Sequence, residues 1–456
     1  MMRYKSLAFL VLMVVTPLAG CTDILSTTDP DIILEANSAS AALALKNGVL
    51  LRLAQALNGV QGPDAFFVYS GLVSDEWRSG DTFVQRNNQD QRIWEPTNTF
   101  NADPYRRLNR VRVEGKAAIK GLRQYLPDSL YLVGRMFALT GYVETLIGEN
   151  YCNGTPLSEV DGTTIVYGQP LSNDAVLALA IENADSALAQ AALAPPRDSI
   201  QARRVTRLAS VVKGRALVDR GQFPAAAAAV AGVPDTFTYQ ITHSVNANTN
   251  QIFALNNSAR RYTMVDTEGV VGLNYISAND PRLPRATGTD PATDLIFDSA
   301  FPLFVTRQGI WNSTAPVSIV TGVEARLIEA EALLQAATTG GWLAAINALR
   351  QNAALYPPIQ TGFTRGATLT AIADTFTNNA SRMKTHFRER AFWMFSTGHR
   401  LGDMRRMVRQ YAYPADSIYP RGGYYKGGTF GTALMLPVPF EEVNNPNFTQ
   451  CTNLDP

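Results

Sequence analysis

The sequence is short of the residues that carry metal and redox chemistry, with three cysteines and three histidines in 456 residues. His243, His386 and His399 stand far apart, and none belongs to an H-E-x-x-H or comparable ligand spacing, so neither a metal nor a cofactor is expected. A nucleophile elbow and a phosphate-cradling glycine loop are also missing. The carboxylate pairs Asp75-Glu76 and Glu441-Glu442 are sequence neighbours, which says nothing of the separation a glycosidase needs, and no catalytic residue is expected. There is no excess of charge of one sign: 40 Lys and Arg face 39 Asp and Glu. Such a balance argues against nucleic acid or a strongly charged partner.

Long apolar runs are scarce as well. The one from Leu7 to Val15, behind Arg3 and Lys5, is about half the length that crosses a bilayer as a helix, and reads as a secretory signal. Leu18-Ala19-Gly20-Cys21 follows and looks like a bacterial lipobox, with cleavage before Cys21 and lipid on its sulfur. The alternative is an ordinary signal with a chance cysteine. Each acyl methylene buries ~0.8 kcal/mol, so several chains would hold the protein at a membrane persistently. Thr22 rather than aspartate follows the cysteine, which by proteobacterial rules does not favour retention at the inner membrane. Only Cys152 and Cys451 then remain. An exported chain permits them to pair, tying the C-terminal tail to the first helical layer; two separate buried thiols is the other reading.

What is present is helix. Residues 1–20 read as signal, 21–35 as tether and 36–456 as one domain. Ala36–Leu57 and Asn101–Tyr125 read as helices, and helix pairs are expected near 130–192, 203–231, 322–354 and 382–409. The string G-R-A-L-V-D-R-G-Q-F-P-A-A resembles the helix–turn–helix grammar of tetratricopeptide repeats, and small residues such as Ala138 and Gly141 suit close helix contacts. A loop-rich insert, 233–316, separates the second and third pairs. The fold class is therefore all-α, a tetratricopeptide-like scaffold of about four pairs decorated by a loop-rich lobe. Ser381–Arg409 organises it: Phe387, Ala391, Met394 and Phe395 form one apolar stripe, Gly398 interrupts it, and Leu401, Met404 and Val408 start another. His386 and His399 are expected to make structural hydrogen bonds there, and Glu329 and Glu331 to pair with its arginines.

Several passages resemble the SusD/RagB family of outer-membrane nutrient-binding lipoproteins. They are E-R-x-F-W-x-x-x-x-G-H-R-L-x-D-x-R-R within 389–406, R-M-F-A-L-T-G-Y-V-E-T-L-I-G-E-N-Y ending at Tyr151, V-E-A-R-L-I-E-A-E-A-L-L, the closing P-V-P-F-E-E-V-N-N-P-N, and the leader. The resemblance covers essentially all of the mature chain. It implies a non-catalytic protein, lipid-tethered at the outer membrane and facing the cell exterior. Such a protein binds an oligosaccharide or peptide and passes it to a SusC-like TonB-dependent transporter. Cys152 and Cys451 are not general features of the family.

Sugar recognition needs aromatic faces beside amide or charged groups. The candidates are Trp77 with Arg78 and Asp81, Trp94 with Asn87 and Asn88, Tyr275 with Asn274, and Trp311 with Asn312. Each ring could instead anchor its loop, and for Trp311 anchoring is the stronger reading. The rival from another class is a periplasm-facing tetratricopeptide lipoprotein that scaffolds envelope assembly; a surface glycosidase is a third.

Overall fold

The computed structural model describes residues 35–59, 64–161, 164–449 and 451. The signal, Cys21 and the tether up to residue 34 lie outside these described residues.

Twelve α-helices carry the scaffold among the described residues: α1 Ala39–Asn58, α2 Phe66–Val73, α3 Val84–Asp90, α4 Thr99–Tyr125, α5 Leu130–Asn150, α6 Asn173–Ala192, α7 Ser199–Asp219, α8 Phe223–Val230, α9 Gly322–Gln335, α10 Thr339–Gln351, α11 Asn379–Trp393 and α12 Arg400–Arg409. Local chemistry starts them. The Ser172 hydroxyl accepts from the Ala175 N–H at 3.2 Å to open α6, and Thr321 from Glu324 at 3.1 Å to open α9. Asn378 opens α11 in the same way, accepting from Ser381 at 2.8 Å.

Consecutive helices pack as antiparallel neighbours, α5 against α6, α7 against both, and α8 and α9 beyond. Missing side chains set the approach. A Cβ on Gly141 would sit 2.8 Å from the Ala180 carbonyl oxygen, and one on Gly214 only 2.4 Å from Val230 Cγ1. Helix α5 is long and apolar enough to cross a membrane by composition, yet it is mostly buried here as a core helix.

The arginine-rich face of 381–409 points inward. Arg390 pairs with Asp403 at 2.9 Å. Arg406 grips Glu331 with both terminal nitrogens at 2.8 Å and reaches Asp219 at 3.4 Å. Arg215 lies between Glu149 (3.2 Å) and Glu324, while His399 Nδ1 meets Glu149 at 2.7 Å. Arg405 donates to the Glu149 and Tyr151 carbonyls at 2.7 and 3.1 Å, closing the C-terminal end of α5. The expected partner of Glu331 is therefore present, but Glu329 pairs with Arg326 of its own helix at 3.0 Å, because it sits on the outer side of α9. Burial alone would raise the Glu331 carboxyl. The Arg406 charge and the His386 hydrogen bond overrule it and hold the group at about 2.

The chain breaks between α11 and α12 where Ser396 and Gly398 take positive φ, 57° and 80°. A Cβ on Gly398 would meet the Phe66 ring at 2.7 Å, so this turn needs glycine for both reasons.

Among the described residues the strands form two-stranded antiparallel ribbons. β1 Trp77–Ser79 pairs with β7 Tyr262–Met264, and the short strands β2 Thr155–Pro156, β3 Glu159–Asp161, β4 Thr164–Val166 and β5 Pro170–Leu171 pair among themselves. β6 Thr238–Ile241 pairs with β10 Val317–Thr321, and β8 Arg285–Thr287 with β9 Thr306–Gln308. A disulfide joins Cys152 to Cys451, with their Cα atoms 5.8 Å apart. Beside it Tyr151 bridges to Leu436, fastening the final segment onto the end of α5.

Candidate functional site

A cleft of about 260 Å³ opens between the β6–β10 ribbon, the 354–358 turn and the C-terminal end of α11. Phe237, Trp311, Tyr356, Phe392, Trp393 and Phe395 supply its rings. β6 alternates exposed and buried positions, so Tyr239 and Ile241 enter the core while Thr238 and Gln240 face outward and line the cleft. Gln240 Nε2 donates to Ser318 Oγ at 3.3 Å across the ribbon, leaving the amide oxygen and the hydroxyl proton at the cleft wall.

Trp393 is the half-buried ring, held from two sides. Tyr356 meets it edge-on with centroids 5.5 Å apart, and the Arg282 guanidinium lies 5.1 Å from its centroid. Arg282 is itself fixed by Asp280 and Glu389, each at 2.6 Å. Trp311 is 6% exposed, its N–H donating to Gln308 Oε1 and its carbonyl accepting from Gln308 Nε2, both at 2.8 Å. Rigid rings beside hydroxyls and an amide suit an apolar-faced, hydroxyl-rich ligand such as a sugar. Of the carboxylates in the lining, Glu324 is committed to Arg215. Among the described residues no group of three or more His, Cys, Asp or Glu is arranged to hold a metal ion.

Most of the rings expected from sequence lie elsewhere. Trp77 is 0% exposed; its Nε1 donates to Ser396 Oγ at 2.9 Å and its ring packs on Phe395 with centroids 5.1 Å apart. It locks β1 to the α11–α12 turn and has no face for a ligand, so the expectation is corrected. Arg78 and Asp81 are likewise structural. Arg78 Nε donates to Glu268 at 2.9 Å, and the fully buried Asp81 joins Arg86 to Arg261. Tyr275 is sealed between Phe392 and Phe395, with centroids 5.0 and 5.2 Å away. Its neighbour Asn274 accepts from Arg388 at 2.9 Å. Burial against tertiary neighbours overturns Tyr275 as it does Trp77.

Trp94 is half-buried against the core and outside the cleft; nearby, Asn87 accepts from Ser79 at 2.8 Å and Asn88 donates to Glu95 at 2.9 Å. Trp311 does anchor its loop, and it also lines the cleft. Phe237, Tyr356 and Trp393 were missed. Trp393 was legible only as part of E-R-x-F-W, where it adjoins the core stripe without belonging to it.

Scaffold and cleft define a class: a stack of helix pairs bearing a ribbon-and-loop lobe with an aromatic recess. Within that class the chain has the SusD-like fold. A SusD/RagB family protein from Bacteroides thetaiotaomicron superposes with a TM-score of 0.63 at 14% identity, covering 89% of this chain and 95% of that one. A SusD-like carbohydrate-binding protein from Bacteroides fragilis gives 0.63 at 15% identity, covering 91% and 99%. A SusD homolog from Bacteroides thetaiotaomicron gives 0.61 at 13%, covering 91% and 97%. No protein-family model and no curated protein matches the sequence.

Proposed function

We propose that this chain is a SusD/RagB family lipoprotein that binds an oligosaccharide nutrient. It is tethered at the outer membrane through lipid on Cys21, faces the cell exterior and delivers its ligand to a SusC-like TonB-dependent transporter. The cleft carries the reading: Trp393, clamped by Tyr356 and Arg282, offers a rigid ring beside Gln240 and Ser318 within a SusD-like fold. Sugar rings stack on Trp393 while amide and hydroxyl groups take their hydroxyls. No step of bond cleavage is assigned; the protein captures and hands over. Trp94 is a second candidate contact outside the cleft.

Two measurements test this. Trp393→Ala should weaken binding of the bound glycan about ten-fold, the loss of one stacked ring, with Trp94→Ala as comparison in the same titration. A mild-detergent pull-down of the native lipoprotein should recover a TonB-dependent barrel. Recovery of envelope-assembly proteins without a transporter would overturn the uptake role and promote the scaffold reading.

A further inference from the structure

The cleft has a second compartment of opposite character. A cavity of about 290 Å³ adjoins it, with Leu283 lining both. Its wall is polar, built from Asn279, Arg285, Thr287, Thr364 and Arg365. The Arg365 guanidinium lies 5.5 Å from the centroid of Tyr356, a ring of the first compartment, so one side chain separates the two spaces.

The charges there do not cancel. Asp280 also lines the cavity, but Arg282 takes both its oxygens at 2.9 and 2.6 Å, and Arg282 and Arg350 share Glu389. Those two arginines therefore balance those two carboxylates. Arg285 and Arg365 are left over. Among the described residues neither forms an ion pair, and both are held by neutral groups instead: Arg285 by the Leu283 and Ile276 carbonyls and Asn279 Oδ1, Arg365 by the Pro357 carbonyl. Burial pushes both guanidinium groups below their ordinary value; the Asp266 and Asp280 charges oppose that shift at Arg285 without pairing with it, so each is a cation partly stripped of water with no anion in salt-bridge contact. An incoming anion would relieve that cost. Guanidinium forks fit carboxylate or sulfate oxygens, and threonine hydroxyls can complete the contact.

We infer that the ligand is an anionic glycan, with a uronate carboxylate or sulfate ester seated between Arg285 and Arg365 while a neighbouring sugar ring stacks on Trp393. The inference rests on the glycan-binding reading of the same cleft and adds the charge of the substrate.

The test is calorimetric titration of the whole protein with four probes of similar length: an oligogalacturonide, a sulfated oligosaccharide, a neutral galacto-oligosaccharide and an oligoglutamate peptide. An anionic glycan should bind about ten-fold more tightly than the neutral one, and added salt should narrow that gap. Whichever of the first two probes binds more tightly identifies the anion as carboxylate or sulfate. Arg285→Gln with Arg365→Gln should abolish the preference, bringing anionic and neutral glycans to the same affinity. Arg365→Gln alone, at a half-buried loop position that leaves Arg285 and its carbonyl contacts intact, should move affinity in the same direction. Equal binding of neutral and anionic glycans, a preference retained by the double variant, or tighter binding of the peptide would each overturn the proposal. Trp393→Ala keeps the two readings apart. Neutral binding that depends on Trp393, with no charge preference, sinks only the anion site, whereas no binding of any glycan sinks both.

Discussion

Single side chains set two acid–base responses in separate pH windows. Glu331 is held at about 2 in the folded protein, below the ordinary glutamate value, so its stabilising share is fully present above about pH 4.5 and disappears as pH falls toward 2. Arg406→Ala leaves the buried Glu331 without its principal counter-ion and should cost about 3–5 kcal/mol in a urea melt at pH 7. Glu76 behaves oppositely. Burial raises it to about 8 although the Ser396 N–H donates to it at 2.8 Å and the Arg400 charge opposes the shift. The folded state therefore keeps a proton that the unfolded chain releases, and the stabilising share of Glu76 should fall by about 1.4 kcal/mol per pH unit between roughly pH 5 and 8. Glu76→Gln should make the measured slope shallower by that amount in melts across the range, with Glu144, raised to about 7, still contributing; an unchanged slope would assign it to other groups. Sequence neighbours cannot reveal such directions. Trp77 sits among Arg78, Asp81 and amides like an exposed platform, and only packing against Phe395 shows that it faces inward.

At the scale of elements, the helices were legible because each apolar stripe repeats over several turns. Asn173–Ala192 falls where its Ala-rich stripe places it, and Gly398 marks the break between α11 and α12. The ribbons were not legible. Three-residue strands such as Arg285–Thr287 are too short to show a period of two, and their partners lie across the insert. The cleft shares that obscurity, since its rings come from four separate stretches and meet only when the β6–β10 ribbon docks against α11. One contact there is easily probed. A Cβ on Gly322 would fall 1.8 Å from the Pro234 carbonyl oxygen, a backbone atom that cannot rotate away. Gly322→Ala should therefore cost about 1–3 kcal/mol and displace the turn bearing Phe237. Loss of ligand affinity beyond the loss of stability would register that displacement.

At the scale of the whole molecule, the sequence left the pairing of Cys152 and Cys451 open, because spacing does not encode proximity. The disulfide closes a loop spanning 299 residues of separation. By the chain-entropy argument such a loop is worth about 6 kcal/mol, and the usual cost of removing a native disulfide puts Cys451→Ser at about 2–5 kcal/mol of lost stability. Hydrogen exchange should show the segment near Leu436 opening first.

The same fastening sets an order of events during biogenesis. Cys451 leaves the ribosome 299 residues after its partner, and the Trp77–Ser396 hydrogen bond joins positions 319 residues apart. The end of α5 and strand β1 therefore cannot receive these two fastenings while most of the chain is still being made. For the exported lipoprotein proposed above, that delay would leave the end of α5 unfastened until the segment that fixes it has also crossed the membrane.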